Sequence, residues 1–445
     1  MRHASPLLLI ALLPIAASAQ EATPKLDLSL RKAVEIALAP DGNTRFQLAA
    51  ETIHQSDAKV VAARAALLPN IDGTFGLRSQ TQNLSAFGFS FPAGLPFVIP
   101  SFVGPYKVFD ARITANMDVF DFATLRRYQA SKQALEATKS DRDSTRDQVT
   151  QQVARAYLAA VRADENVNTA KANLDLSAAL LKLAQNQKDA GTGTGIDVVR
   201  AQVQQANDRQ RLVVSENGRN QAYLQLSRAI GLDLGRAVTL TDRMAYIPVD
   251  SLAMDTALAT ATGAREDLKA QSKRVDVARL NYSAAKLESL PTVGAAGDIG
   301  PIGTTADNAR VTRTVGVSVK IPVWDSGRRA SHREESLSQW KQEQIRLRDL
   351  REQVALDVRL AADALHSAET QITVAKEGLA LSEQELAQAR RRFENGVTNS
   401  IEVTDAQTRL QRARDNQVTA LFAHNLARID WFAAMGKIEN TLGQH

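Results

Sequence analysis

The sequence predicts a mainly α-helical protein that also carries four amphipathic strands suited to a membrane β-barrel. Three observations lead to this fold class. Thr124–Ala190 contains neither proline nor glycine. Gln148–Gly231 matches Gln353–Gly436 without a gap, with identical residues at roughly two dozen positions. Segments of polar–apolar alternation precede both long helical stretches. Internal similarity of this kind indicates a duplicated unit, so we predict a two-fold internal repeat.

The repeated blocks are helical by their periodicity. Val167, Leu174 and Leu181 recur every seven residues, and a small residue follows each of them after three positions. This alternation of large and small residues is typical of a coiled-coil seam between closely packed helices. The matching large residues of the second block are Ile372, Leu379 and Leu386. An uninterrupted helix over Thr124–Ala190 would be about 100 Å long at ~1.5 Å per residue.

Glycines interrupt both helical patterns at matching places. A second helix is predicted to begin near Ile196 after Gly191, and near Ile401 after Gly396. Each block therefore predicts a long antiparallel helical hairpin, with a tip near 191–197 in the first repeat and near 396–402 in the second. The first glycine-rich tip does not match a phosphate-binding loop, because a helix precedes it and no Lys-Ser/Thr pair follows.

The strands are predicted at about 71–79 and 109–120 in the first half, and at about 292–299 and 310–322 in the second. About ten residues of alternation suit a tilted strand that crosses an outer membrane, although a soluble sandwich has the same pattern. Four strands cannot close a barrel, and open sheet edges are not tolerated in lipid. Three chains would together supply twelve strands, an even number within the bacterial range.

Composition excludes several classes of function. The chain has no cysteine, which excludes disulfides and thiolate metal sites, and its six histidines lack zinc-binding spacing. The formal net charge of +5 is spread among interspersed charges of both signs, so no nucleic-acid surface is expected. No catalytic constellation is present. We therefore predict no catalytic residue, no metal site, no cofactor and no enzymatic activity.

The N-terminal residues 1–19 have the pattern of a cleaved export signal. Arg2 precedes the apolar run Leu7–Ile15, and Ala17-Ser18-Ala19 fits a small-x-small cleavage site. The apolar run is too short to span a bilayer as a helix. Because no cysteine follows the cleavage site, the mature protein is not expected to be a lipoprotein. The first repeat would then occupy 20–231 and the second 232–445.

Several segments together resemble a known family. Leu28–Leu38 resembles the opening segment of TolC-like outer-membrane efflux proteins, and Ala62–Asn70 resembles their passage from helix to strand. Pro322–Arg328 is similar to a strand-to-helix exit of that family, and Arg392–Gln407 to its second hairpin tip. The resemblance implies a homotrimer in which a twelve-stranded barrel continues into a periplasmic α-helical tunnel. Equatorial segments at about 232–262 and 437–445 would girdle that tunnel.

The resemblance also implies a function. The chain would be the outer-membrane channel subunit of a tripartite efflux or type I secretion system, surrounded by outer-membrane lipid and extending far into the periplasm. A periplasmic adaptor protein and an inner-membrane pump would dock at the hairpin tips, and conduction through the channel would be passive. The alternative is a periplasmic coiled-coil scaffold or adhesin without channel activity. An enzyme is a more distant third possibility.

Three acidic residues are the candidates for the periplasmic entrance. Glu402 and Asp405 are three residues apart and so share one helix face, and Asp197 occupies the position of Glu402 in the first repeat. In the resembled family, residues that match Glu402 and Asp405 ring the narrow entrance. Carboxylates at a helix N-terminus are also favoured by the helix dipole alone, which leaves a second explanation open.

The tips carry the candidate docking residues, which are Gly191, Gly195, Gly396 and Ser400. The second tip departs from the family pattern at Thr398, where an arginine can lock the closed entrance. The nearby run Arg390–Arg392 is either a replacement for that arginine or a solvated basic segment.

Overall fold

The computed structural model describes residues 26–88, 102–249 and 252–441. The predicted export signal and the last four residues lie outside the described residues. The first half contains β1 (Leu26–Leu28), α1 (Leu30–Ala37), α2 (Thr44–Ala65), β2 (Asn70–Asn83), β3 (Phe102–Phe120), α3 (Phe122–Asp189) and α4 (Gly195–Ile230). The second contains β4 (Val238–Leu240), α5 (Met254–Ala264), α6 (Glu266–Leu287), β5 (Thr292–Gly303), β6 (Arg310–Lys320), α7 (Arg328–Glu394) and α8 (Ser400–Ala434). The prediction of a mainly helical chain is confirmed.

Two very long helices dominate the molecule. Helix α3 has 68 residues and α7 has 67, so each is about 100 Å long at ~1.5 Å per residue. Asp121 caps the N-terminus of α3, because its side chain accepts hydrogen bonds from the amides of Ala123 (2.8 Å) and Thr124 (3.1 Å). Helices α3 and α4 pack as one hairpin and α7 and α8 as another, and α3 also packs on α8. Among the described helices, none is both long and apolar enough to cross a membrane.

The contact surface of α3 is centred on small residues. Ala170, Ser177 and Ala184 are buried, as the coiled-coil pattern predicts. Of the larger residues beside them, Leu180 is buried in a cluster with residues of α7 and α8, whereas Leu174 is half-buried. The second hairpin therefore covers only one flank of the predicted seam. The heptad pattern does not predict which flank is covered.

The four longer strands form one antiparallel sheet in the order β2-β3-β5-β6. Each of β2, β3 and β5 extends beyond its predicted range, and β2 and β6 are the edges of the described sheet. One face is polar and carries a charge network in which Arg112 contacts Asp110 (2.6 Å) and Asp298 (2.9 Å). The other face exposes large apolar side chains, which include Ile71, Phe75, Leu77, Ile113, Ile299, Val315 and Val317. A sheet with one exposed apolar face needs an apolar environment or a partner.

A separate small sheet joins the two halves of the chain near the middle of the helices. Strand β1 pairs in parallel with β4, and their side chains pack in a buried core with α1, α3 and the end of α4. The Asp242 carboxylate accepts hydrogen bonds from the Leu30 amide (2.7 Å) and the buried Tyr157 hydroxyl (2.9 Å). Burial, the hydrogen bond to Asp242 and the charge of that carboxylate raise the pKa of Tyr157 well above its ordinary value, so the hydroxyl stays protonated.

Tyr157→Phe should lower the free energy of unfolding by about 1–2 kcal/mol, because the half-buried Asp242 carboxylate loses the donor that the buried Tyr157 side chain supplies. Urea unfolding followed by circular dichroism measures the change. Tyr246→Phe is the matched control, since the Tyr246 ring is 41% exposed and its hydroxyl makes no hydrogen bond in the described structure. Equal stabilities of Tyr157→Phe and the control would contradict the assigned role of Tyr157.

Candidate functional site at the hairpin tips

Both hairpins turn on a glycine in the left-handed backbone region. The φ angle is +75° at Gly191 and +68° at Gly396. In each tip the amide that follows the glycine donates to a carbonyl of the last helical turn at 2.9 Å. This geometry satisfies carbonyls that a helix end would otherwise leave unpaired, and it favours glycine because a Cβ atom is disfavoured at positive φ. The two tips thus share one backbone design.

Gly195 has a different position from Gly191 and Gly396. It is the first residue of α4, and its φ does not lie in the left-handed region. The residue before it, Thr194, caps the helix together with Asp197, whose carboxylate accepts a hydrogen bond from the Thr194 amide at 3.1 Å. The conformation of this tip therefore depends on Gly191 and on the Thr194–Asp197 cap, and not on positive φ at Gly195.

Asp197 forms a joint between the two hairpins. Its side chain is largely buried between α4 and α8, where it accepts a hydrogen bond from the Ser400 hydroxyl. The Arg200 guanidinium lies 3.7 Å from the same carboxylate and 3.4 Å from Ser400 Oγ. Burial alone would raise the pKa of Asp197, but the hydrogen bonds from Ser400 and Thr194 and the charge of Arg200 hold it below its ordinary value. The joint is therefore formed at neutral pH and weakens only as the pH falls through that lowered pKa.

The second tip arranges its carboxylates differently. Glu402 accepts a hydrogen bond from the Thr398 hydroxyl, and its carboxylate lies 3.3 Å from the Arg392 guanidinium. Asp405 is exposed. The pKa of Arg409 is raised by the hydrogen bond that its guanidinium donates to Glu385 and, to a smaller extent, by the charges of Glu385 and Asp405. Glu402 and Asp405 share the face that their spacing predicts, but Asp197 points into the protein instead of joining them.

The repeat explains this difference between the tips. Asp197 and Glu402 occupy matching positions, and so do Arg200 and Asp405. The first tip therefore carries an acid–base pair three residues apart, which closes on itself as an ion pair. The second tip carries two acids at the same spacing, so Glu402 takes its arginine from the preceding helix. Sequence reasoning considered Arg390–Arg392 but missed Arg200, and comparison of the two repeats contains the signal that identifies it.

The predicted docking residues also differ in exposure. Ser400 is only 7% exposed and belongs to the joint with Asp197, so it offers no free surface. Apolar side chains that sequence reasoning did not single out are exposed on both tips, at Ile196, Val199, Val203, Val397 and Ile401. The first three are spaced three and four residues apart on α4 and so form one stripe. The spacing of three and four residues between these apolar side chains is visible in the sequence, and it could have identified the stripe.

An apolar cluster holds the two hairpins together beside this joint. It comprises Leu180 of α3, Leu386, Ala389 and Phe393 of α7, and Val403, Ala406 and Leu410 of α8. The Gln187 side chain donates to the Phe393 carbonyl at 3.0 Å, which adds a polar tie between α3 and α7. Within the described ranges no group of three or more His, Cys, Asp or Glu side chains is placed to hold a metal ion. The arrangement at the tips can pair charges and present an apolar surface.

Residues 36–232 and 257–437 match the family model described as outer membrane efflux protein. The chain belongs to the outer membrane efflux protein family.

Individual proteins agree with this assignment. The chain is 24% identical over 410 residues to the pyoverdine export outer membrane protein OpmQ of Pseudomonas putida, covering 90% of this chain and 84% of that protein. It is 21% identical to the outer membrane protein TolC of Vibrio cholerae, over 85% of this chain and 84% of TolC. Its fold matches the Campylobacter jejuni CmeC outer membrane channel with a TM-score of 0.79 at 15% identity, over 92% and 86% of the two chains. The family is one of outer-membrane efflux proteins, so the chain acts in transport.

Gly396→Val should strain the second tip by about 1–3 kcal/mol, because a β-branched residue is disfavoured at positive φ. Limited proteolysis should show faster cleavage at the tip, and urea unfolding should show lower stability. Gly378→Val is the matched control, because Gly378 lies inside α7 with open space where a Cβ would stand. Valine is slightly the better helix former, so this control should be neutral or stabilising. Equal rates of proteolysis in the two variants would show that the tip does not require glycine at position 396.

Proposed function

We propose that this chain is the channel subunit of a tripartite efflux or type I secretion system and conducts substrates passively from the periplasm to the outside. One observation carries the proposal. A four-stranded sheet with an exposed apolar face continues directly into helices of 68 and 67 residues, because α3 and α7 begin within a few residues of the ends of β3 and β6. A sheet of this kind suits lipid, and rods about 100 Å long suit the passage across a periplasm.

The proposed assembly is a homotrimer. Strands β2 and β6 leave unpaired edges in the described sheet, and lipid does not tolerate unpaired backbone groups. Joining β6 of one chain to β2 of the next would close twelve strands from three chains into a barrel. The polar face with Arg112, Asp110 and Asp298 would then line the lumen, and the apolar face would contact outer-membrane lipid.

The tips are the proposed contact with the other components. An adaptor protein and an inner-membrane pump would dock there, on the turns at Gly191 and Gly396 and on the exposed apolar side chains around Ile196 and Val397. The energy for transport would come from the pump, and conduction through this chain would be passive. Residues 1–19 would direct export and then be removed.

The entrance is proposed at Glu402 and Asp405. Threefold symmetry would bring six such carboxylates around one opening, with the three Asp197 carboxylates held in the joints behind them. Crowded carboxylates attract cations and repel anions. The Asp197–Ser400 joint would hold the two hairpins together in the closed arrangement, and the Arg392–Glu402 pair would hold the second tip; opening would require the joint to rearrange.

Substitutions on the two faces of the sheet test the assembly. Ile113→Arg and Val317→Arg place a charge on the proposed lipid face. Val317→Arg should cost about 2–4 kcal/mol near the midplane, and Ile113→Arg should cost less because its row of paired residues leads to the border of the lipid layer. The neighbouring variants Thr114→Arg and Ser318→Arg lie on the proposed lumen face and should be milder. Trimer content in mild detergent and recovery from outer-membrane fractions measure the effect. Equal losses on both faces would refute the orientation, and a stable wild-type monomer or a soluble periplasmic pool would favour the scaffold alternative.

Glu402→Gln combined with Asp405→Asn should lower cation selectivity and abolish block by multivalent cations added from the periplasmic side. Reversal potential and single-channel conductance in planar bilayers measure both. The wild-type effect should weaken with salt, because exposed charges are screened over ~10 Å at 0.1 M.

Asp349→Asn with Glu352→Gln is the matched control, since these two exposed carboxylates have the same spacing in the middle of α7. The control should keep the selectivity of the wild type. Identical selectivity and block in the wild type and the Glu402/Asp405 variant would place the entrance elsewhere.

A further inference from the structure

Two basic residues stand on the apolar face of the sheet: Lys107 of β3, opposite Ser79 of β2, and Arg313 of β6. Arg313 of β6 lies opposite Ile299 of β5, which in turn lies opposite Ile113 of β3. Directly paired residues of an antiparallel sheet share a face, so Arg313 stands in a row of isoleucines. Its neighbours on the same face of β6, Val311 and Val315, are 70% and 84% exposed. The Arg313 side chain is exposed as well, and it is the charged member of an otherwise apolar surface on β6.

The described protein offers Arg313 no counter-ion. Every acidic residue of the four strands lies on the opposite, polar face: Asp72, Asp110, Asp118 and Asp298. Within the part of the chain that the structure describes, the Arg313 guanidinium makes no hydrogen bond and no ion pair. The nearest acidic residue in the sequence is Asp307, in the turn before β6, and it forms no ion pair with Arg313 either.

A neighbouring copy does not provide a counter-ion. If β2 of a second chain pairs with β6, the residues it adds to this face are uncharged: Ile71, Gly73, Phe75, Leu77 and Ser79. Residues 89–101 lie outside the described residues, and their sequence contains no Asp or Glu. Neither the described residues nor β2 of a neighbouring copy therefore supplies an anionic partner for Arg313.

The position of Arg313 along the strand fits the border of a lipid layer. Arg313 is the fourth residue of β6, near the strand end that is remote from the helices. Trp324, which is 84% exposed, follows the other end of the strand. The eleven steps along the chain from Arg313 to Trp324 extend roughly 35 Å if fully extended, and roughly 25 Å across a membrane at ~45° tilt, which is the height of the apolar band of such barrels. Tryptophan is enriched at one border of that band, and a long arginine side chain can reach the headgroups at the other.

We propose that Arg313 binds the phosphate of an outer-leaflet lipid headgroup, with the acyl chains of that lipid lying on Val315 and Val317. The inference rests on the proposed function, which places this face of the sheet in the outer membrane. The planar guanidinium donates two parallel hydrogen bonds to a phosphate. The surrounding valines favour a phosphate that carries acyl chains over a free, hydrated phosphate ion.

Titration of diphosphoryl lipid A into delipidated, detergent-solubilised protein, followed by native mass spectrometry, tests the proposal. Arg313→Gln should weaken lipid binding about tenfold, the effect of losing one charge-assisted contact. Arg313→Lys should retain most of the affinity as a point charge. Arg310→Gln is the matched control, because Arg310 lies on the polar face of the same strand and should bind like the wild type.

Two further arms need no variant. Lipid A from which the phosphates have been removed should bind the wild type about tenfold more weakly than the diphosphoryl form, and a large excess of inorganic phosphate should not displace the lipid. Equal binding of the two lipids, or equal losses in Arg313→Gln and Arg310→Gln, would overturn the proposal. Displacement by inorganic phosphate would identify an anion site without lipid specificity and would also overturn it.

Conductance separates this proposal from the proposed function. A wild-type protein that forms channels but shows no preference for phosphorylated lipid would refute only the Arg313 inference. A wild-type protein that forms no channel would refute the proposed function itself.

Discussion

Strands β2 and β6 each leave one row of backbone amide and carbonyl groups without a partner in the described sheet. Each unpaired backbone group costs several kcal/mol of free energy in lipid. A sheet with free edges and an exposed apolar face therefore needs a partner strand at each edge. The proposed trimer follows from this constraint, since each edge can be satisfied by the other edge of a neighbouring copy. The same closure would gather three pairs of hairpins around one axis and place the carboxylates of Glu402 and Asp405 around one opening.

The internal repeat shows how one backbone design can carry two different charge arrangements. Both tips use a left-handed glycine and a following capped helix, and both place a charged residue at the third and sixth positions of that helix. In the first tip an acid and a base compensate each other, and the acid is recruited into the joint with Ser400. In the second, two acids at the same spacing remain nearer to solvent, where only Glu402 has an arginine partner. Duplication therefore conserved the turn, while the charges came to serve different tasks.

Two carboxylates and one guanidinium of this protein show opposite ways of handling a charge. Asp197 and Asp242 are both held by several donors inside the protein, which offsets the cost of their burial. Arg313 presents the opposite case, because the apolar face around it holds no acid. Such an exposed, uncompensated charge on an apolar surface costs free energy in lipid unless the membrane itself supplies the anion.

The sequence by itself determined the features that depend on neighbouring residues along the chain. A long run without proline or glycine predicted α3, and the seven-residue period of the second repeat predicted the helical stretch of α7. Gly191 and Gly396 determined where these helices turn, and polar–apolar alternation separated the faces of the strands. These are local properties, because backbone φ/ψ preferences and side-chain periodicity act within a few residues.

Only the tertiary structure decided which of those residues meet. The heptad pattern predicted Leu174 and Leu181 on one seam, but both are half-buried and the second hairpin instead buries Leu180. Asp197 matches Glu402 in the internal repeat and was therefore predicted at the entrance. In the structure α8 packs beside it, and its carboxylate accepts a hydrogen bond from Ser400. The partner of Glu402 likewise depended on how α7 approaches α8, which brings Arg392 within reach. Contacts between residues some 200 positions apart depend on the packing of whole helices, and no local pattern encodes that packing.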